Sequence, residues 1–359
     1  MIAGTLDTSK VTIGLDLGDR TSRTYEVDPA GTRQAEATVA TTPQGLQRYF
    51  GNRAACRVVL EASTHSPWVS RTLTALGHEV IVANPAAMFR GAHRRRRRND
   101  ALDAELLARQ GRADVRLLYP VAHRGLLAQE HLEYLRARDQ LVRTRAQLVT
   151  HVRSAVKVTG TRLRASSTPA FVATARTAIP AELRAATAPV LAIIEALTLQ
   201  IRAADRQVTQ VIRAHYPVAA RLQQITGVGP ITALAFVLLV DDPTRFADSR
   251  DVGAYFGLVP RLDESSDSQP QLRITKAGDG LGRRLLVTAA HYILGPFGPE
   301  CDLRRHGLAI AARGGKNGKK RAVVAVARKL AVLLHHLWVS EQPYDPNYVV
   351  NHQKRAPRR

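Results

Sequence analysis

Hydrophobic and polar positions change their spacing twice along the chain, and each change predicts a different architecture. Residues 11–17, VTIGLDL, form a short apolar run rich in β-formers and punctuated by Gly18. RTYEVD and QAEATVA follow with the turn residues PAGT between them, the pattern of strands joined by a hairpin. TTPQGLQRYFG has an N-cap threonine and an early proline, as a helix start does; RVVLEAS reads as a strand, PWVSRTLTALG as a helix closed by glycine, and EVIVANP as a further strand. Strands alternating with helices after an initial meander predict a mixed α/β sheet. From about Ala122 to Tyr216 the period becomes helical. Tyr134/Leu135, Leu141/Val142, Leu148/Val149 and Ala155/Val156 recur every seven residues, and Val190, Ile194, Leu197, Ile201, Ala204, Val208 and Val211 form a 4-3-4-3 seam. Two long antiparallel helices are expected there, as a packing spacer in preference to a cofactor-binding bundle, with an added dimer or partner interface open.

The last third begins at ITGVGPITALAFVLLV. Gly227 and Gly229, followed at once by an apolar helix, suggest a helix-hairpin-helix turn whose backbone N–H groups can approach a phosphate; a tight turn between core helices is the alternative. A polar loop, a helix at LGRRLLVTAAHYIL, the basic glycine loop RGGKNGKKR and an apolar helix ending at Trp338 complete this mainly helical part. The expected fold class is therefore α/β plus α. The expected boundaries are 1–115 for the sheet domain, 116–216 for the coiled-coil spacer, 217–342 for the helical domain and 343–359 for a basic, disordered tail.

Charge narrows the function. Lys and Arg outnumber Asp and Glu by 52 to 30 over 359 residues, a formal charge of +22, which favours a polyanionic partner and is excessive for a small-sugar enzyme. Ile231–Val240 and the charge-bearing Ala322–Trp338, taken as the longest apolar runs, are too short or too charged for a membrane span, so no membrane partner is expected. The start, MIAGTLDTSK, lacks the profile of a signal peptide. Only Cys56 and Cys301 are present, which excludes a disulfide framework or zinc finger and suits a reducing cytoplasm.

The most unusual stretch is HRRRRRNDALDAE, where Arg94, Arg95, Arg96, Arg97 and Arg98 run into Asp100 and Asp103. Asp100 and Asp103 share one helix face at three-residue spacing. Asp16 and Glu61 stand at the ends of two predicted strands. Singly, each acid has a structural explanation: an aspartate at a strand end forms turns, and Asp100 can be a helix N-cap. Together, four hard oxygen donors in one α/β unit suit Mg²⁺ or Mn²⁺, in the arrangement used for phosphoryl transfer on nucleic acid. The arginines are either a solvated ridge or the contact that holds a polyanion near that site.

GLDLG with Asp16, VLEAS with Glu61, and RNDALDAELLA with Asp100 and Asp103 resemble the RuvC-like DEDD domain of the transposases of the insertion sequence 110 family. ITGVGPITA, VGAYFGLVP, RITKAGD and AVVAVARKLAVLLHHLW resemble that family's C-terminal transposase domain, in the same order and over nearly the whole chain. The resemblance implies an RNase H-like (RuvC-like) sheet domain and a DNA recombinase guided by a structured bridge RNA that pairs with donor and target DNA. It also implies Mg²⁺ on the four acids and a serine that forms a covalent phosphoserine link to DNA. Counting back from RITK places that serine at Ser265. Ser266 stands where the family usually has glycine and Ser268 is close by, so Ser265 and Ser266 both remain candidates for the nucleophile. Arg273, Lys276, Arg283 and Arg284 are the nearby candidates for charge neutralisation. A homodimer or homotetramer through the coiled coil, in the bacterial cytoplasm at the nucleoid, is the implied setting. Three alternatives stand beside this reading. VTIGLDLGDRTSRTYEV also resembles the first phosphate loop of actin-like ATPases and sugar kinases, although no later glycine-rich nucleotide loop follows in the α/β region. A metal-dependent Holliday-junction nuclease would need the acids but not Ser265, and a non-catalytic RNA-binding module would need neither.

Overall fold

The computed structural model describes residues 10–85, 100–262, 270 and 272–353. The chain divides into two compact units, Met1–Arg124 and Gly125–Arg359.

In the first unit, β1 (Thr12–Asp16), β2 (Thr21–Val27) and β3 (Arg33–Ala40) form an antiparallel meander, followed by α1 (Pro43–Phe50), β4 (Arg57–Glu61), α2 (Ser66–Ala75), β5 (Glu79–Ala83) and α3 (Asp100–Ala113). The sheet order is β3-β2-β1-β4-β5, with β1, β4 and β5 parallel. The strands and helices expected from periodicity are present. Thr42 caps α1 by accepting from the Gly45 N–H at 3.0 Å. The two-residue alternation of the central strands sorts the sheet into two faces. Ile13, Leu15, Val58 and Leu60 pack with Leu46, Phe50, Val69 and Leu73 of α1 and α2. Gly14 and Val59 point the other way, onto α3.

The second unit is helical. The long α4 (Leu126–Lys157) and α6 (Ala181–His215) run antiparallel, linked through the short α5 (Phe171–Ala178), which periodicity did not reveal. Arg138 pairs with Asp205 at 2.7 Å and Arg145 donates to Thr198 at 3.2 Å, a descending order that fixes the antiparallel sense. After α7 (Pro217–Leu222) comes α8 (Pro230–Val240), in which every residue from Thr232 to Val240 is buried. A helix apolar on all sides belongs at the centre of a core. Around it pack α9 (Asp251–Tyr255), α10 (Gly280–Leu294), α11 (Asp302–Ala312) and α12 (Gly318–Ser340). Leu132 and Leu135 of α4 and Val208 and Ile212 of α6 join the same hydrophobic cluster. The coil is thus rooted in the helical core, while its far end has a separate core around Val152, Phe171, Val172 and Ile194.

Two expectations change. The segment from 343, expected to be disordered, is folded through its described part: α13 spans Tyr348–Gln353, the Asp302 N–H donates to the Pro346 carbonyl at 2.8 Å, and Arg305 binds the Asn347 side chain at 2.7 Å. A basic composition masked local turn chemistry, since Asp345 accepts from the Asn347 N–H and the Asn351 side chain. Furthermore, both α6 and α12 are long and apolar enough, by length and composition, to cross a membrane. In this fold α12 buries Val326, Leu330 and Leu334 in the helical core, and α6 packs along α4.

Candidate active site

Asp16 ends β1 and Glu61 ends the neighbouring parallel strand β4, so both acids stand at the carboxyl ends of adjacent interior strands. Asp100 and Asp103 lie in the first turn of α3. A close backbone approach brings this helix to the strand: a Cβ on Gly14 would lie 1.9 Å from the Ala104 carbonyl oxygen and 2.6 Å from the Ala108 nitrogen. Only glycine leaves room for that contact. One turn further on, a Cβ on Gly111 would lie 2.3 Å from Val59 Cγ2. Arg57, buried beneath, fixes this end of α3 by donating to the Gly111 carbonyl at 3.1 Å and pairing with Glu79 at 3.2 Å.

The electrostatics show the acids acting on one another. Burial pushes the Asp16 carboxyl up to about 6, and the negative charges of Asp100, Asp103 and Glu61 add to the rise against a lowering backbone hydrogen bond at Leu17. Four carboxylates on three elements therefore share one field. Among the described residues, no three Asp, Glu, His or Cys side chains are disposed to hold a single ion as they stand. The acids are neighbours in charge without being a closed ligand cage.

Close in sequence to Asp16 and Glu61 is a polar pair that motif reading passed over. His65 Nε2 stands 3.3 Å from Asp19 Oδ1, and Trp68 Nε1–H donates to His65 Nδ1 at 3.1 Å. An accepting Nδ1 puts the ring proton on Nε2, which can then donate to Asp19. The available signal was the histidine four residues after Glu61 in EASTH.

In the helical unit the residues that flank the segment expected to carry the nucleophile form a short antiparallel stem. The Arg261 N–H donates to Arg273 at 3.0 Å, the Thr275 N–H to Val259 at 2.9 Å, and Pro260 bridges Ile274. Below the stem the two chains cross closely. A Cβ on Gly257 would lie 2.3 Å from the Ala277 oxygen, and one on Gly278 would lie 2.0 Å from the Tyr255 oxygen. Lys276, between them in sequence order, takes the left-handed conformation at φ 56°. Arg283 clamps the crossing, donating through Nη1 to the Ala277 carbonyl at 2.8 Å and the Phe256 carbonyl at 3.2 Å. Arg284 pairs with Asp139 of α4 at 2.6 Å. Both arginines, expected to neutralise phosphate charge, thus already have protein partners. Ser265, Ser266 and Ser268, like Arg94 to Arg98, lie outside the described residues.

Comparison with known proteins connects the two regions. The model described as the transposase IS116/IS110/IS902 family matches residues 219–301, and the DEDD transposase model of the IS110 family matches residues 13–160. The chain belongs to the IS110 family of transposases. It is similar to a probable family 20 transposase of Pseudomonas aeruginosa, 29% identical over 93% of this chain and 98% of the relative. A putative transposase of Sinorhizobium fredii is 28% identical over 83% of this chain and 77% of its own length. The transposase for insertion sequence element IS1111A of Coxiella burnetii is 26% identical over 80% of this chain and 79% of its own length. This IS110-family transposase is accordingly an enzyme of DNA recombination, with DNA as its substrate.

The DEDD match contains all four acids, and the second match contains the stem, the Arg283 clamp and the glycine turn. In that turn Gly227 has φ 93°, and a Cβ there would meet the Ala289 carbonyl and Ile293 at 3.2 Å. Gly229 precedes α8 with no side-chain cap. The turn thus packs against the last turns of α10, a structural duty sufficient to require glycine. A cavity of about 280 Å³ beside it is lined by Ile225, Thr226, Cys301 and Tyr344 and contains neither the acids nor the loop stem.

Proposed function

We propose that this transposase is an RNA-guided DNA recombinase that cuts and rejoins donor and target strands through Mg²⁺-dependent chemistry and a covalent phosphoserine. The observation that carries the reading is the convergence of Asp16, Glu61, Asp100 and Asp103 in one field, in which burial first and the three neighbouring charges second lift Asp16 to about 6. Mutual repulsion of this kind costs stability and is relieved by a divalent cation, and an all-carboxylate donor set suits Mg²⁺ or Mn²⁺. These four residues would hold the metal, which when bound polarises a phosphoryl oxygen and neutralises developing charge. The meander followed by two parallel strands supports a RuvC-like assignment for residues 1–115. The proposed division continues with a coiled-coil spacer to 216 and a serine-bearing transposase domain over 217–342.

Ser265 is the proposed nucleophile. Its Oγ attacks the phosphorus, a serine O–P bond forms, the phosphorus bond to one deoxyribose oxygen breaks, and that oxygen leaves as a hydroxyl. Attack by a hydroxyl of a second strand reverses the step and frees the serine, so rejoining needs no ATP. Arg273 and Lys276, on and just below the stem, are the proposed phosphate contacts, with Arg94 to Arg98, which precede Asp100 in the sequence, and the turn at Gly227 and Gly229 as further ones. The net charge of +22 supports a structured guide RNA as well as DNA as partner. A homodimer or homotetramer, formed through the coil, would supply the several active sites that joining two duplexes requires. The proposed setting is the bacterial cytoplasm, at the nucleoid.

The test is a denaturing gel of the protein with junction DNA from its element, Mg²⁺ and RNA transcribed from the element's flank. The expected result is a covalent protein–DNA adduct, mapped by peptide mass to Ser265 and lost in Ser265→Ala and Asp16→Ala. Cleavage without an adduct, unchanged in Ser265→Ala, leaves a metal-dependent junction nuclease instead. Melting gives a second readout: Mg²⁺ should raise the melting temperature of the wild type and leave that of Asp16→Asn unmoved.

A further inference from the structure

Between Asp302 and Glu341 the chain has no acidic residue, yet it carries nine Arg and Lys: Arg304, Arg305, Arg313, Lys316, Lys319, Lys320, Arg321, Arg328 and Lys329. The first two are committed, Arg304 to Glu300 and the Ile293 and Gly295 carbonyls, and Arg305 to Asp302 and Asn347. The other seven are exposed, on the end of α11, the connecting loop and α12. Among the described residues Arg313, Lys316, Lys319, Lys320, Arg328 and Lys329 form no ion pair.

An ordinary solvated helix face intersperses both signs, because acids four residues from a lysine stabilise the helix. Here that compensation is missing, and the arrangement works against the fold in two further ways. Lys319, Lys320 and Arg321 occupy the first turn of α12, where the helix dipole favours negative charge. His306, on α11, has its pKa lowered first by burial and then by the positive charges of Lys329 and Arg313.

The platform beneath the charge is rigid. Gly307 lets the two helices touch, since a Cβ there would lie 2.6 Å from Val326 Cγ2 and Leu294 Cδ2. The loop turns through Gly314 at φ 74° and Gly315 at φ 81°, and the Arg321 guanidinium closes it by donating to the Gly314 carbonyl at 3.1 Å. Uncompensated cations on a preorganised hairpin pay their repulsion in advance and recover it when a polyanion arrives. We infer that the α11–α12 hairpin is a binding surface for the phosphate backbone of duplex DNA, contacted through Arg313, Lys316, Lys319, Lys320, Arg328 and Lys329. DNA is the polyanion that the family's reaction brings to this chain, and a surface with cations and no exposed aromatic ring among these residues suits a backbone better than unstacked bases. The inference does not depend on the identity of the nucleophile or on the metal.

The experiment compares the full-length protein with the triple variant Lys316→Gln, Lys319→Gln, Lys320→Gln, measuring affinity for a mixed-sequence DNA duplex across a salt series. A control triple, Lys157→Gln, Arg162→Gln, Arg164→Gln, removes the same charge from exposed positions at the far end of the coil. The expected result is a loss of about 10- to 100-fold for the hairpin variant at moderate salt, with the slope of log affinity against log salt shallower by about 2 to 3, since each lost contact removes about 0.9. Its melting temperature should not fall below wild type, since the lost cations repel one another and the helix dipole, and the control's affinity should stay near wild type. An equal loss in the control would reduce the hairpin to net charge and overturn the inference. Unchanged DNA binding with weakened binding of an RNA duplex of the same sequence would overturn the assignment to DNA.

Discussion

The sheet unit holds its acids on the ends of regular elements whose backbones touch, Gly14 against Ala104 and Ala108, with Arg57 tying the far end of α3 to the sheet. In the helical unit the described residues that flank 263–271 are joined by a three-residue stem, two interlocked glycines and the Arg283 clamp. The difference teaches how positional tolerance is distributed. Carboxylates that must share a field need fixed separations, which helices and strands give better than loops. The proposed nucleophile, Ser265, belongs to a segment whose flanks are fixed by that crossing, and a rigid scaffold that presents a connecting segment is a common place for reactive groups.

Breaking the comparison on the sheet side should have the largest effect. Gly14→Val has no space against the Ala104 carbonyl and should cost more than ~4 kcal/mol, read by urea unfolding or by loss of folded protein. A variant that folds normally and keeps its activity would mean that the close approach does not set the acids. On the loop side, Arg283→Met removes two hydrogen bonds from the crossing without adding bulk. It should slow adduct formation by about 10- to 100-fold, with less effect on DNA affinity. Arg283→Lys, which can still reach one carbonyl, should recover part of the rate; a uniform fall in affinity with an unchanged rate would make Arg283 a DNA contact instead of a clamp.

A smaller effect sharpens the electrostatic half of the comparison. Because the folded Asp16 titrates near 6 against an ordinary 3.8, the native state holds a proton that the unfolded chain has already lost between these values. Stability without metal should therefore fall as pH rises from about 4 to 6 and stay reduced above it. Asp16→Asn should remove that dependence and gain about 1–2 kcal/mol at pH 7, a range already discounted for partial exposure, while losing activity. Thermal melts across that pH range decide it. The smallest effect belongs to Arg284, whose pair with Asp139 is half exposed: Arg284→Gln should cost under about 1 kcal/mol and leave the adduct rate within a few-fold of wild type.

Periodicity carried most of the architecture, because buried strands and amphipathic helices write their spacing into the residues. The meander, the alternating β4-α2-β5 run and the two long helices were all legible. The seam on α6 was legible only in part: Thr187 and Thr198 are buried alongside Ile194 and Ile201, and their hydroxyls bond back to carbonyls one turn earlier, which removes the cost that makes threonine look polar. The acids were legible as a set, since motif order survives in a linear chain. The contacts that position them were not. Gly14 reads as a weak point in a strand, and Ala104, Ala108 and Gly111 read as unremarkable helix residues, until the helix is seen lying on the sheet. The protein partners of Arg283 and Arg284 were hidden for the opposite reason: charge next to a reactive loop invites a substrate role, and nothing in the local sequence shows the carbonyls and the aspartate that they bind.

The ties between α4 and α10 give the coil a mechanical meaning. Arg136 reaches Asp279 at 3.6 Å, the residue that caps α10, and Asp139 holds Arg284 one turn further along. Asp279 directly follows Gly278, the lower foot of the loop, while Leu132 and Leu135 of α4 rest on the same core as α8. The long arm and the start of α10 are therefore tied side by side. A displacement of the coil would reach, through these two ion pairs, Asp279 and the glycine crossing before it.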